Sequence, residues 1–224
     1  ATANGYSSLA SGQNSFAGSN NATASGTSST ALGDNSLANN TNTTATGAFS
    51  TASGLNSTAN GYSALASGES SFAGSDNATA SGTSSTALGD NATANNTNTT
   101  ALGAYSLASG LNANATGYSS TASGSNSSAA GSFSLASGTN STANGTNSQA
   151  TNTDTTAIGE SAVANAVGST AVGSDSLASG VSSTALGDES TASGLNSNAT
   201  GYSSTASGSN SSAAGSFSLA SGTN

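Results

Sequence analysis

The sequence predicts an all-β protein, a parallel β-roll (a thin β-solenoid) of about sixteen coils of 14 residues each. Three observations predict it. Alanine stands at position 3 and at every seventh residue to position 220, thirty-two times in 224 residues. Glycine follows two residues later in twenty-six of those thirty-two units, and Ser, Thr or Ala stands two residues earlier in all of them. The variable positions, finally, repeat every fourteen residues and not every seven. A period kept this strictly is the mark of a repeat architecture.

The strand comes first. In Ser29-Thr30-Ala31-Leu32-Gly33 the small residues sit at alternate positions, so in an extended chain they share one face and Thr30 and Leu32 share the other. The residues after the glycine, commonly ending in Asn or Ser, form the turn, where Gly and Asn tolerate positive φ. An interior lined only by Ser, Ala and Gly requires a narrow coil with its two sheets close together. A coiled coil, the usual meaning of a seven-residue period, needs large apolar residues at two positions per heptad. Here those positions hold Ala and Gly, and glycine in most heptads would cost a helix about 1 kcal/mol each. The low hydrophobicity would suit a disordered chain, but disorder has no reason to keep a period.

The fourteen-residue unit follows from the outward positions. Leu32, Leu88, Leu102, Ile158, Val172 and Leu186 follow the alanine in alternate heptads, while the intervening heptads hold Ser11, Ser25, Asn39, Ser109 or Ser179 there. Before the alanine the preference inverts, with Leu9, Leu37, Leu107, Val163 and Leu177 in the second heptad and mostly Thr in the first. The aromatic residues Tyr6, Phe49, Tyr62, Tyr105, Tyr118, Phe133, Tyr202 and Phe217 all fall in the first turn. Longer echoes lie above the coil: residues 115–140 recur unchanged at 199–224. No linker interrupts them, so 1–224 reads as a single repetitive domain, a fragment of a longer protein.

The chain has no Lys, Arg, His, Cys, Met, Trp or Pro, and nine carboxylates set its net charge at −9. Binding to nucleic acid or an anionic membrane through phosphate contacts is excluded, as are disulfides and thiolate metal sites. No apolar run approaches the roughly 20 residues of a membrane helix. Serine is abundant, but nothing in the chain can activate it, so no catalytic residue is expected. Asp188, Glu189 and nearby Asp175 read as solvated turn acids, not as ligands of a hard cation. No metal and no cofactor is expected.

A thin coil filled by Ala and Ser buries little apolar area to set against the ordering entropy, so the chain should associate. The aliphatic column Leu32, Leu88, Leu102, Ile158, Val172 and Leu186 is the candidate for subunit packing, since aligned apolar patches on a monomer usually mark contacts. The alternative is that these residues cover one another along the stack. The first turn also carries Asp34, Asp76, Asp90, Glu160, Asp175, Asp188 and Glu189, which argues against placing it at a symmetry axis. The second turn, with Leu55, Leu111, Val167, Val181 and Leu195, is the better candidate for the inside.

Ser29-Thr30-Ala31-Leu32-Gly33, Thr155-Thr156-Ala157-Ile158-Gly159 and Ser169-Thr170-Ala171-Val172-Gly173 resemble the Ser-Val-Ala-Ile-Gly-type motif of YadA-like trimeric autotransporter adhesin heads. A degenerate Ser-Leu-Ala-Ser-Gly form alternates with it at 106–110, 134–138 and 176–180, and the resemblance covers the whole chain. It implies a left-handed parallel β-roll and an obligate homotrimer, a head carried on a coiled-coil stalk with an outer-membrane β-barrel anchor. No stalk, neck or anchor motif lies in this sequence, and Thr usually replaces the family's Val.

The resemblance implies a bacterial cell-surface adhesin head that attaches to extracellular matrix, host cells or abiotic surfaces through many weak contacts. This fragment itself would touch neither membrane nor nucleic acid. The alternatives are an ice-binding solenoid, favoured by the Thr columns but interrupted at Phe16, Phe72 and Asn114, and an inert spacer. Asn40, Asn96 and Asn152 replace the turn glycine in 40–44, 96–100 and 152–156. They are expected either to face a ligand or to be turns whose Asn takes the left-handed conformation.

Overall fold

The computed structural model describes residues 1–222 and contains two compact units, Ala1–Asn112 and Ala113–Asn224. In the first unit, strands of two or three residues alternate between two parallel sheets. One sheet runs from Thr2–Ala3 to Thr100–Leu102, the other from Leu9–Ala10 to Leu107–Ala108. The second unit is built the same way, from Asn114–Thr116 to Ser212–Ala214 and from Thr121–Ala122 to Leu219–Ala220. Paired residues are fourteen apart: Thr2 with Phe16, Leu65 with Thr79, Ile158 with Val172. The coil is therefore two heptads. With residues 1–14 as coil 1, each 112-residue unit holds eight coils.

The interior is what the alternation predicts. Every period-defining alanine from Ala17 to Ala206 is fully buried, and so is the Ser, Thr or Ala two residues before it. Burying a hydroxyl without a partner costs free energy, and in many coils the turn supplies the partner: Ser15 Oγ donates to Gly12 O (2.8 Å), Ser29 Oγ to Gly26 O (2.7 Å), Ser106 Oγ to Gly103 O (2.7 Å). The Oγ of Ser57, Ser71, Ser85, Ser127, Ser141, Ser183 and Ser197, all at the end of the second turn, has no protein partner. Close approach of successive coils requires the turn glycines. A Cβ on Gly26, Gly82 or Gly138 would overlap the carbonyl oxygen of Asn40, Asn96 or Asn152 in the next coil.

Each turn places its last residue in the left-handed region. All the described residues at that position do so, from Ser7 (φ 53) to Phe217 (φ 57). The stack enforces this, because the amide of that residue donates to the coil before it, as in Asn42 N to Thr27 O and Phe49 N to Asp34 O, both 2.9 Å. Most occupants are Asn or Ser. Four are bulky aromatics: Phe49 (φ 60), Tyr105 (φ 59), Phe133 (φ 59) and Phe217 (φ 57). A side chain with a Cβ pays about 1–2 kcal/mol there, and a large one is an outlier.

The first turn exists in two backbone forms. From coil 7 onward, the glycine two residues after the first-strand alanine has φ between +112 and +146 (Gly89, Gly103, then Gly117 to Gly215), a region closed to other residues. The strand lengthens to three residues, and the glycine amide takes a carbonyl of the preceding coil, as in Gly103 N to Leu88 O (2.9 Å). In coils 1–6 the same glycines, Gly5, Gly33, Gly47 and Gly61, lie outside positive φ. Serine stands at this position in coils 2 and 6, as Ser19 and Ser75. Ser19 Oγ instead donates to Leu32 O (2.9 Å), the carbonyl equivalent to Leu88 O. Residues 28–35 and 84–91 have the same sequence, yet they adopt different forms. Coils 3–5 lie between two serines, so switching them would leave a mismatch at both ends; coils 7 and 8 have one serine neighbour. In a stack coupled only through adjacent repeats, the form of one coil depends on its neighbours as well as on its own sequence.

Candidate interaction surfaces

Four outward surfaces follow from the register: the outer face of each sheet and the row of corners formed by each turn. The face of the first sheet carries the aliphatic column. Leu88 pairs with Leu102, and Ile158 with Val172 and then Leu186. Their neighbours along the stack do not cover them: Leu32 and Leu88 remain 44% exposed, Ile158 40% and Leu186 45%, with Leu102 and Val172 half-buried. Two aromatic residues extend this face. Phe16 and Phe72 lie beside Gly18 and Gly74, where a Cβ would strike the ring together with a methyl of Leu32 or Leu88. The signal was present in the sequence, since these are the two coils with glycine directly after the first-strand alanine.

The first-turn corners carry the remaining aromatics and most of the charge. In coils 3 to 6 of the first unit the order is Asp34, Phe49, Tyr62, Asp76. Phe49 and Tyr62 meet edge to face with centroids 5.6 Å apart, and the Tyr62 amide donates to an Asp76 carboxylate oxygen (3.0 Å). The second unit has the pairs Tyr118–Phe133 (5.3 Å) and Tyr202–Phe217 (5.1 Å). Between them come Glu160, Asp175, Asp188 and Glu189, with Ser203 Oγ donating to Glu189 Oε2 (2.5 Å). Seven of the nine acids lie on this row, all exposed. Among the described residues no group of three or more acids is arranged to hold a metal ion.

The second-turn corners are different. Their left-handed residues form side-chain ladders: Asn42 Nδ2 donates to Asn56 Oδ1 (2.9 Å), Asn98 to Asn112 (2.9 Å), Asn126 to Asn140 (3.2 Å), and Asn140 to Asp154 (2.9 Å). Asn40, Asn96 and Asn152 sit on this row. None is left-handed; the left-handed residues are Asn42, Asn98 and Asp154, two positions on, which corrects that expectation. Instead, Asn40 Oδ1 accepts from the Thr41 amide (2.8 Å) and its Nδ2 donates to Ser53 O (2.9 Å). Asn96 repeats both bonds with Thr97 and Ser109, and Asn152 the first with Thr153. The carboxamide thus closes a turn that lacks its glycine. Leu55 and Leu111 stand singly beside this row, and Val167, Val181 and Leu195 follow one another in successive coils, all 38–49% exposed. The face of the second sheet sets half-buried Leu and Thr beside a column that is mostly serine.

The YadA head domain repeat matches this sequence over residues 1–18, 24–50, 52–74, 80–106 and, in overlapping segments, 104–176, 178–197 and 199–224. Among solved structures, the chain is similar to the collagen-binding domain of the Yersinia adhesin YadA, at 26% identity and a TM-score of 0.41, over 69% of this chain and 72% of that one. No curated protein sequence matches it. Among the described residues no helix is long and apolar enough to cross a membrane. With the repeat matched along nearly its whole length and the 14-residue parallel coil in place, the chain belongs to the YadA head family, the head repeats of bacterial adhesins.

Proposed function

We propose that this chain is the non-catalytic head of a homotrimeric adhesin on the bacterial cell surface. It attaches cells to extracellular matrix, host cells or abiotic surfaces through many weak, repeated contacts. The observation that carries this reading is the aliphatic column of the first sheet, which stays 40–45% exposed at Leu32, Leu88, Ile158 and Leu186 in a single chain. Packed against the same column of two other copies, it supplies the apolar burial that an interior of Ala and Ser lacks. That leaves the remaining faces repeated around the trimer. Individually weak sites repeated in this way bind strongly together. The solved relative is described as collagen-binding, so a matrix protein is the first ligand to try.

The reading is tested with purified head coupled to beads, offered collagen, fibronectin, bare polystyrene and an albumin-blocked control. Attachment to at least one surface above the control, lost when the head is dissociated to monomers, is expected. Attachment to none would leave a spacer in place of an adhesin.

A further inference from the structure

The first-turn corners hold bulky aromatics where neither the backbone nor packing asks for them. Phe49, Tyr105, Phe133 and Phe217 occupy left-handed positions that Asn, Ser, Asp or Glu fill in other coils, and they are 52–73% exposed. A residue that strains the backbone without filling a core points to a contact made outside the fold. The same row carries seven of the nine carboxylates of a chain with no Lys, Arg or His. In coils 3 to 6 the two features interleave, with Asp34 and Asp76 flanking the Phe49–Tyr62 pair. Coils about 4.8 Å apart set those carboxylates roughly 14 Å from each other, with two exposed rings between them.

We propose that this row is the attachment surface for a cationic polypeptide segment, one whose Arg or Lys side chains lie on the rings and pair with the flanking carboxylates. Aromatic faces attract guanidinium and ammonium groups, and fixed acids with no competing cation in the chain steer such a partner from solution. An anionic partner is repelled. Another copy of this chain is disfavoured on the row, because it brings only further carboxylates. The assignment rests on the adhesin reading and deepens it by naming the site and the partner's chemistry.

The test uses the whole chain and three labelled nonapeptides: oligoarginine, oligoglutamate and a Gly-Ser control. Phe49→Asn and Tyr62→Asn each put Asn at a turn position where coil 2 already carries it, as Asn21 and Asn20 respectively, so folding is preserved. Oligoarginine alone is expected to bind, and extending the change to Tyr118, Phe133, Tyr202 and Phe217 should weaken binding about tenfold. Asp34→Asn with Asp76→Asn should weaken it less, and the residual binding should depend less steeply on salt. Unchanged oligoarginine affinity in the aromatic variants would overturn the proposal, because charge alone would then suffice. Equal, ring-dependent binding of a neutral oligosaccharide would overturn it in favour of a glycan surface. If these variants still coat matrix-bound beads as well as the parent, the site assignment fails while the adhesin reading stands.

Discussion

The two sides of the coil share one interior and differ in how they use their outer side chains. Both sheets bury the same Ala and Ser columns. On the second side, Asn42, Asn56, Asn98, Asn126, Asn140 and their neighbours hydrogen-bond to one another, and Asn40 and Asn96 mend their own turns. On the first side, the aliphatic column is left half uncovered, acids are exposed, and aromatics sit in strained backbone. The second side commits more of its corner side chains to bonds along the stack, although seven of its buried serine hydroxyls have no protein partner and Val167, Val181 and Leu195 stay exposed. The first leaves most of the acids and the corner aromatics exposed to partners.

The largest test of this contrast is to charge each face in turn. Ile158→Asp with Val172→Asp and Leu186→Asp removes three apolar groups, each worth about 1.5 kcal/mol or more when buried. The native mass at micromolar concentration is then expected to fall from trimer to monomer. Ser179→Asp with Ser193→Asp and Ser207→Asp puts as many charges on the other face and should leave the mass unchanged. If both triples dissociate the assembly, the two faces are not distinct.

A smaller effect comes from exchanging corner types. Asn140→Phe breaks the ladder from Asn126 to Asp154 and places a bulky residue at φ 56. We expect a loss of about 2 kcal/mol in urea unfolding. The reverse exchange, Phe133→Asn, relieves the strain and gives up an edge-to-face contact with Tyr118, for a net gain of about 0.5–1 kcal/mol. A destabilised Phe133→Asn would mean that the aromatic corner serves the fold.

The smallest effect concerns the two forms of the first turn. Ser75→Gly removes the residue that cannot enter the φ region of Gly89 (+146) and Gly103 (+124). The three-residue strand should then spread down the first unit, slowing amide exchange at Gly61 and Gly89 about tenfold as their N–H groups gain carbonyl partners. Unaltered exchange there would remove Ser75 from the explanation.

The architecture could be read from residue spacing because it depends on size and parity. Ala every seventh residue can face inward only in a narrow coil, and the Leu32-to-Leu186 column fixes the period at fourteen. The corners were less readable. Left-handed Phe49 and Tyr105 run against intrinsic preference, and the inter-coil hydrogen bond overrides it. Asn40 was expected to supply the left-handed residue, but that position belongs to Asn42, since the turn ends where the stack accepts its amide. Identical segments 28–35 and 84–91 take different forms, which no local reading could separate, because the choice is made by the coils stacked on them.

The central claim is that the first-sheet column is covered by other copies of this chain. Sedimentation equilibrium of the unmodified chain, with no added trimerisation segment, tests it most directly. The account predicts a mass near three times 20.6 kDa, maintained on dilution. A monomer that stays folded by circular dichroism would contradict it.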